Sequence, residues 1–544
     1  MSPQNVDDLS TEELLANIGK LIDYSDDLEQ VEGTDKAYAW CDIANARTLS
    51  NAQKAELEYF RANLWSARVH IKERAWKKKN THAQGNNAQP TPIPTMEDGN
   101  PWAWEQPDRQ QEILCLRRCV NSLGFKEMEH FRRCQIYTNL ANQLNVVGRP
   151  VDAIEYWDRA LSQHETFGMA LSNKGYGLMN YAKAMYDNGH QASFLKCAYH
   201  LFDSALSSNA FYETDYTEAI GFFNSQMQLI KRLVSPECLD KPLEFNDYPM
   251  GSSAAEISYR QWCLDNVLYL NPLNDITTQP VANRDILVLP SYVTAKETPP
   301  TYIGLYNQIK QEFASARWLL YEGMHFTEQH FSDKGVPLYD TLDYPCYSLS
   351  AEKVKIAFRI TYSLFDKIGF FLNDYMQLAI KPNRVSFRSV WYEKGDANSK
   401  IISSKFLQSN NWSFRGLFWL SKDLHDSAFM TEMEPDAEAL VEVRNHLEHK
   451  YLKVHEINLP EHQTQSSDPY DWIGQAWKDQ LAYSVTIEDL ENKALRLMKL
   501  ARAAIIYLCL GMHQEENRRY EGKDTAQIFP MKLDLFSDDR KKNH

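Results

Sequence analysis

The sequence lacks the features that mark several large protein classes. Its longest apolar run, Ala503-Ala-Ile-Ile-Tyr-Leu-Cys-Leu510, is under half of the roughly 20 residues a membrane-spanning helix needs. It lacks positive charge: 58 Lys and Arg stand against 73 Asp and Glu, a net charge of −15. That balance excludes a protein that coats nucleic acid with its whole surface and confines any such contact to a local basic patch. Its nine cysteines form no Cys-x-x-Cys pair, and Cys115 and Cys119, four apart, have nothing near them in sequence to complete a metal set. Scattered, odd-numbered cysteines in a long chain are the pattern of reduced thiols. The opening residues, Met1 to Asp8, are acidic and carry no signal-peptide core. A cytoplasmic protein without membrane contact is the expectation.

What is present is helical. The 544 residues are enough for two to four domains. Ser10-Thr-Glu-Glu13 has the spacing of a capping box and predicts a helix to Leu21, with a second over residues 52–77 ending in Lys77-Lys78-Lys79. Residues 80–100 are polar and proline-rich and read as an exposed loop. Ala141, Leu144, Gly148, Ala153, Trp157 and Ala160 follow the spacing of a helical hairpin, and Gly175, Leu178, Ala198, Phe202 and Ala205 repeat it after an insertion. The series resembles a degenerate tetratricopeptide repeat. Further helices over 106–125 and 215–233 would extend it into an α-solenoid covering residues 1–234, whose concave face would take a protein or peptide ligand. Residues 235–300 are rich in proline and aromatics, with one helix over 257–270 and a short strand over 285–290, and read as an ordered connector. Helices over 303–321, 352–380, 436–454 and 487–512 predict a bundle spanning 301–525, followed by a tail over 526–544.

The stretch from Asp436 to Tyr451 is the chemical centre of this arrangement. Leu440, Leu447, Tyr451 and Val454 share a helical stripe that has Arg444 in its middle, although an unpaired guanidinium is costly to bury. Asn445 and His449, four apart, project from one face. Arg444-Asn445-xxx-His449 resembles the Arg-x4-6-His signature of the HEPN superfamily, in which a polar residue follows the arginine. The resemblance covers roughly residues 300–520. It implies a small helical bundle, metal-independent RNA cleavage without a cofactor, and a dimer whose two motifs meet.

RNA carries its own nucleophile, the 2′-OH, so cleavage needs only proton transfer and positive charge at the phosphate. His449 suits the first role, Arg444 the second, and Asn445 could position the phosphate or orient His449. Arg444 and His449 diverge by about 140° on an ideal helix, so a composite site across a homodimer is expected. Lys381, Arg384, Arg388, Trp391 and Lys394 interleave cations with aromatics as an RNA-binding loop would, with Lys453, close to His449 in the sequence, added to the RNA-binding set and a weaker echo at Trp412, Arg415 and Lys422. His446, His449 and His455 invite a metal, but no matching carboxylate–histidine pair stands on another helix, so none is assigned. The family resemblance points to a toxin or antiviral effector. The competing readings are a non-catalytic adaptor, with Arg444 and His449 structural, and a partner protein regulated by a nucleotidyltransferase.

Overall fold

The computed structural model describes residues 6–83, 99–213, 217–239, 248–326, 328–339, 341, 343–426, 437–456, 481–521, 523 and 538. The fold is all-α, with one pair of short strands among the described residues.

At the N-terminal end, α1 (Thr11–Asp27), α2 (Val31–Asn45) and the first half of α3 (Asn51–Ala83) enclose a small core of Leu14, Ile18, Ile22, Cys41, Leu57 and Leu64. The capping box closes as predicted, with Ser10 and Glu13 bonding reciprocally at the start of α1. The helix continues past the expected Leu21 to Asp27, because Ile22 and Ser25 are buried against its neighbours. The loop expected over 80–100 begins later: residues 80–83 still belong to α3, and 84–98 lie outside the described residues.

Next come α4 (Pro107–Asn121), α5 (His130–Val146), α6 (Pro150–Gln163), α7 (Gly168–Ala184), α8 (Asn188–Leu206) and α9 (Thr217–Leu233), each packed on the next. The small and aromatic residues of the repeat series line these contacts: Ala141, Ala153, Trp157, Ala160, Ala198 and Phe202 are almost wholly buried. Gly148 takes φ +93° in the short turn between α5 and α6, a conformation side chains avoid.

After α10 (Pro236–Leu239), the connector holds α11 (Ala254–Asp265), which stops short of the predicted residue 270. There Val267 turns to φ +56° and Leu268 bonds back to the Cys263 carbonyl. Residues 285–290 are extended without strand pairing, so the predicted strand is absent; Asp285 instead receives the Arg317 guanidinium.

The C-terminal part comprises α12 (Thr301–His325), α13 (Leu349–Tyr375), α14 (Ser404–Leu407), α15 (Trp412–His425), α16 (Ala437–His449), β1 (Tyr451–His455), β2 (Ala482–Thr486) and α17 (Ile487–Tyr520). The strands pair in parallel, Tyr451 opposite Ala482 and His455 opposite Thr486. The predicted motif helix over 436–454 therefore ends five residues early, and Tyr451 and Val454 leave the helical stripe for a ladder. α13 ends at Tyr375 rather than 380, since Gln377 and Ala379 both adopt positive φ. Helix α17 lies at the centre, against α7, α12, α13 and α15, and is apolar all round from Ala503 to Leu510.

One continuous core runs from Ala55 to Met512, across the divisions placed at residues 234 and 300. Buried charges stitch it together. Asp423 of α15 accepts two bonds from Arg117 of α4, at 2.6 and 3.0 Å, and another from Arg149. Arg149 also forks onto Asp152, which accepts the Tyr507 hydroxyl of α17 at 2.9 Å. Where α15 crosses the α5–α6 turn, Gly416 meets Gly148 backbone to backbone, and a Cβ on either would collide with a carbonyl.

Candidate active site

Helix α16 buries Leu440, Val443 and Leu447 against α13 and α15. Val443, not Arg444, completes the buried stripe, and Arg444 sits at its edge, half-buried. Its guanidinium lies over the Tyr362 ring of α13, 5.5 Å from the centroid, and donates to the neighbouring Asn445 Oδ1 at 3.2 Å. No carboxylate pairs with Arg444 among the described residues. Glu448, four residues after Arg444, lies 3.9 Å from Arg359. Burial pushes the Tyr362 phenol up to about 12, with the Arg444 charge pulling the other way. The arginine thus has an aromatic platform beneath it and unneutralised charge above.

The C-terminal end of α16 is held by Arg359, which donates to the Leu447 carbonyl. His446 is buried, its Nδ1 2.8 Å from the Glu442 carbonyl and its ring packed on Tyr483 of β2. His449 closes the helix with an exposed ring. Arg444 and Asn445 stand together, while His449 lies at the free end. Among the described residues, no three His, Cys, Asp or Glu side chains converge as a metal site.

The RNA-binding loop read from the sequence divides in two. Lys381, Arg384, Arg388 and Lys394 are exposed. Trp391 is fully buried: its indole donates to the Phe387 carbonyl at 2.8 Å and packs on Trp104, Phe406 and Phe418, so it offers no face to a base. Lys453 is also removed from solvent, because its place on β1 turns it inward onto Asp343 at 2.6 Å. The weaker echo is structural too. Trp412 donates to the Asn145 carbonyl, Arg415 to those of Pro101 and Val146, and Lys422 pairs with Glu105. Burial, reinforced by Arg109 and only partly opposed by Glu73, lowers the Arg415 guanidinium to about 9.

The sequence reading has no helix over Trp412–His425. Every residue from Ser413 to Leu424 is buried, Arg415, Lys422 and Asp423 included, so the polar residues that would mark a solvent face lie inside the protein. Asn411 is the local signal that could have found it: its side chain accepts the Phe414 N–H at 2.9 Å as an N-cap. The helix ends on His425, whose imidazole is held down to about 4, first by desolvation and then by the charges of Arg388 and Arg444. The basic loop reaches this histidine through Phe387, whose ring stands edge-on to His425 with centroids 6.4 Å apart.

Residues 293–515 match the family described as LA2681-like HEPN. No curated protein and no solved structure matches the chain. The matched stretch begins just before α12, ends within α17, and takes in Arg444, Asn445, His449, Arg388 and His425. Residues 293–515 are a HEPN-family domain.

Proposed function

We propose that the protein is a metal-independent endoribonuclease, a toxin or defence effector, whose site is built around Arg444. One observation carries the reading: a half-buried arginine in a HEPN-family domain, supported by Tyr362 and Asn445 and unneutralised by any described carboxylate. An unpaired cation at the edge of a core is costly to maintain, and an anionic ligand offsets that cost. A phosphodiester passing to a pentacoordinate, more negative state matches what a planar guanidinium binds best. Asn445 holds the guanidinium in place. His449 provides proton transfer, and because it lies at the exposed end of α16 the reading pairs it with Arg444 across a homodimer. The repeat-like helices α5–α9 serve as the partner-binding region that controls the nuclease.

The test is incubation of the full chain with total RNA in EDTA, comparing wild type, Arg444→Ala and His449→Ala. Cleavage by the wild type alone, leaving 2′,3′-cyclic phosphate and 5′-hydroxyl ends, is the expected result. Equal cleavage by all three would place the activity elsewhere. An intact, inactive wild type would leave the non-catalytic adaptor as the better account.

A further inference from the structure

Helix α3, the entry to α4 and the approach to α14 come together around a cavity of about 320 Å³, lined from residues 69–73, 99–109 and 400–407. Val69, Ala103, Trp104, Ile402 and Leu407 give it mainly apolar walls. Trp104 also packs on Trp391 and Phe406, with centroids 6.3 and 5.4 Å apart, so this wall is continuous with the aromatic core beneath the basic loop. No described residue of α16 lines the cavity, which makes it separate from the Arg444 site.

The charges around the cavity do not cancel. Three carboxylates line it, and each is engaged: Glu73 by Arg109 at 2.6 Å, Asp108 by Lys72 at 2.6 Å and Glu105 by Lys422 at 2.5 Å. Lys400, also in the lining, is exposed and has no ion-pair partner among the described residues. Arg415 stands behind the wall, donating to the Pro101 and Val146 carbonyls at 2.9 and 2.6 Å. It is buried, makes no ion pair among the described residues and leaves its Nε unbonded. The start of α4 adds to this surplus. Its N-cap residue, Gln106, turns its side chain elsewhere: the amide donates to the Pro101 and Ala103 carbonyls, and Oε1 accepts from Arg109 Nε. The Asp108 and Arg109 N–H groups are therefore uncapped at the positive end of a 15-residue helix. An apolar chamber of ligand size, with surplus positive charge at its rim and behind its wall, suits an anion with an apolar body.

We propose that this cavity binds a small organic anion, its apolar body within the chamber and its single carboxylate or phosphate head paired with Lys400. The field of Arg415 and of the α4 terminus favours the negative charge. Such a ligand ties α3 and α4 to the HEPN-family domain, in parallel with the Glu105–Lys422 pair. The proposal does not depend on the nuclease reading.

The experiment uses the full-length protein, with naphthoate as an aromatic monoanionic probe and naphthylmethanol as its uncharged analogue, in calorimetric titrations at low salt. Saturable naphthoate binding is expected, about tenfold or more tighter than that of naphthylmethanol. It should raise the melting temperature of the wild type. Lys400→Glu is expected to weaken naphthoate by about tenfold while affecting naphthylmethanol little. Leu407→Trp, which fills the chamber, should abolish binding of both probes in a protein that still melts cooperatively. Absence of saturable naphthoate binding, equal affinity for the two probes, or unchanged naphthoate affinity in Lys400→Glu would each overturn the proposal. Wild-type affinity in a folded Leu407→Trp would overturn the location. If Leu407→Trp does not fold, Lys400→Glu decides, since Lys400 is exposed.

Discussion

Glu112 shows how one side chain sets a pH dependence. It is buried in α4 with Oε2 unpartnered, and desolvation raises its carboxyl from 4.5 to about 7, against the opposing pull of Arg109, His70 and Ser66. The folded state therefore holds a proton that the unfolded chain releases near pH 4.5. Stability falls as pH rises from there to about 7 and then levels off. Glu112→Gln should gain up to about 3 kcal/mol at pH 8 and almost nothing at pH 4.5, read from urea denaturation at the two pH values. At the Arg444 position, lysine keeps the charge but loses the planar fork over Tyr362. Arg444→Lys should retain RNA binding within about tenfold yet cut far more slowly, and equal rates would show that charge alone suffices. Arg444 stands out in the sequence as a cation within a predicted apolar stripe, and the structure moves it to the edge of that stripe, with Val443 in the buried place. Trp391 was misread because an aromatic among cations looks the same whether its ring faces water or the core.

At the scale of elements, periodicity marked the helices that bury one face. Helices α1, α3, α11, α12, α13 and α17 were all anticipated, with errors mainly at their ends, where Val267, Gln377 and Ala379 turn the backbone in ways side-chain pattern does not encode. Helix α15 escaped because Arg415 and Lys422 read as an echo of the basic loop, whereas both are buried. The short ladder escaped because β1 continues the motif stripe from Leu440 and Leu447 closely enough to pass for another helical turn. The packing of α15 depends on the contact between Gly416 and Gly148, which side-chain spacing alone does not reveal. Gly416→Ala should cost about 1–3 kcal/mol, because the new methyl displaces the α5–α6 turn, and should lower the urea midpoint without changing the slope. If the midpoint is unmoved, the close approach of the two backbones is wrong.

The whole molecule is held by charges that the sequence gives no means of pairing. Two arginines and one tyrosine, from α4, α6 and α17, converge on Asp423 and Asp152. The Arg117 and Arg149 charges hold the Asp423 carboxyl down at about 2 against the burial that would raise it. Its contribution to stability is complete above the ordinary carboxylate range and fades as pH falls toward 2. Asp423→Asn leaves two buried guanidiniums without their shared partner and should cost about 3–5 kcal/mol in denaturant titrations at pH 7. Residues 293–515 expressed alone should give no cooperative melt and should bind a hydrophobic dye, since the core they share with α3–α8 would be open to water.

The same clamp has a consequence in time. Arg117 and Asp423 are 306 residues apart, and Val151 and Tyr507 are 356 apart. During synthesis, the earlier half emerges long before the residues that neutralise it exist. At roughly 5–20 residues per second, Arg117 waits on the order of 15–60 s for its aspartate. A nascent chain halted before residue 423 should therefore remain protease-sensitive around α4 and α6, and the HEPN-family domain completes its partner only as α17 leaves the ribosome.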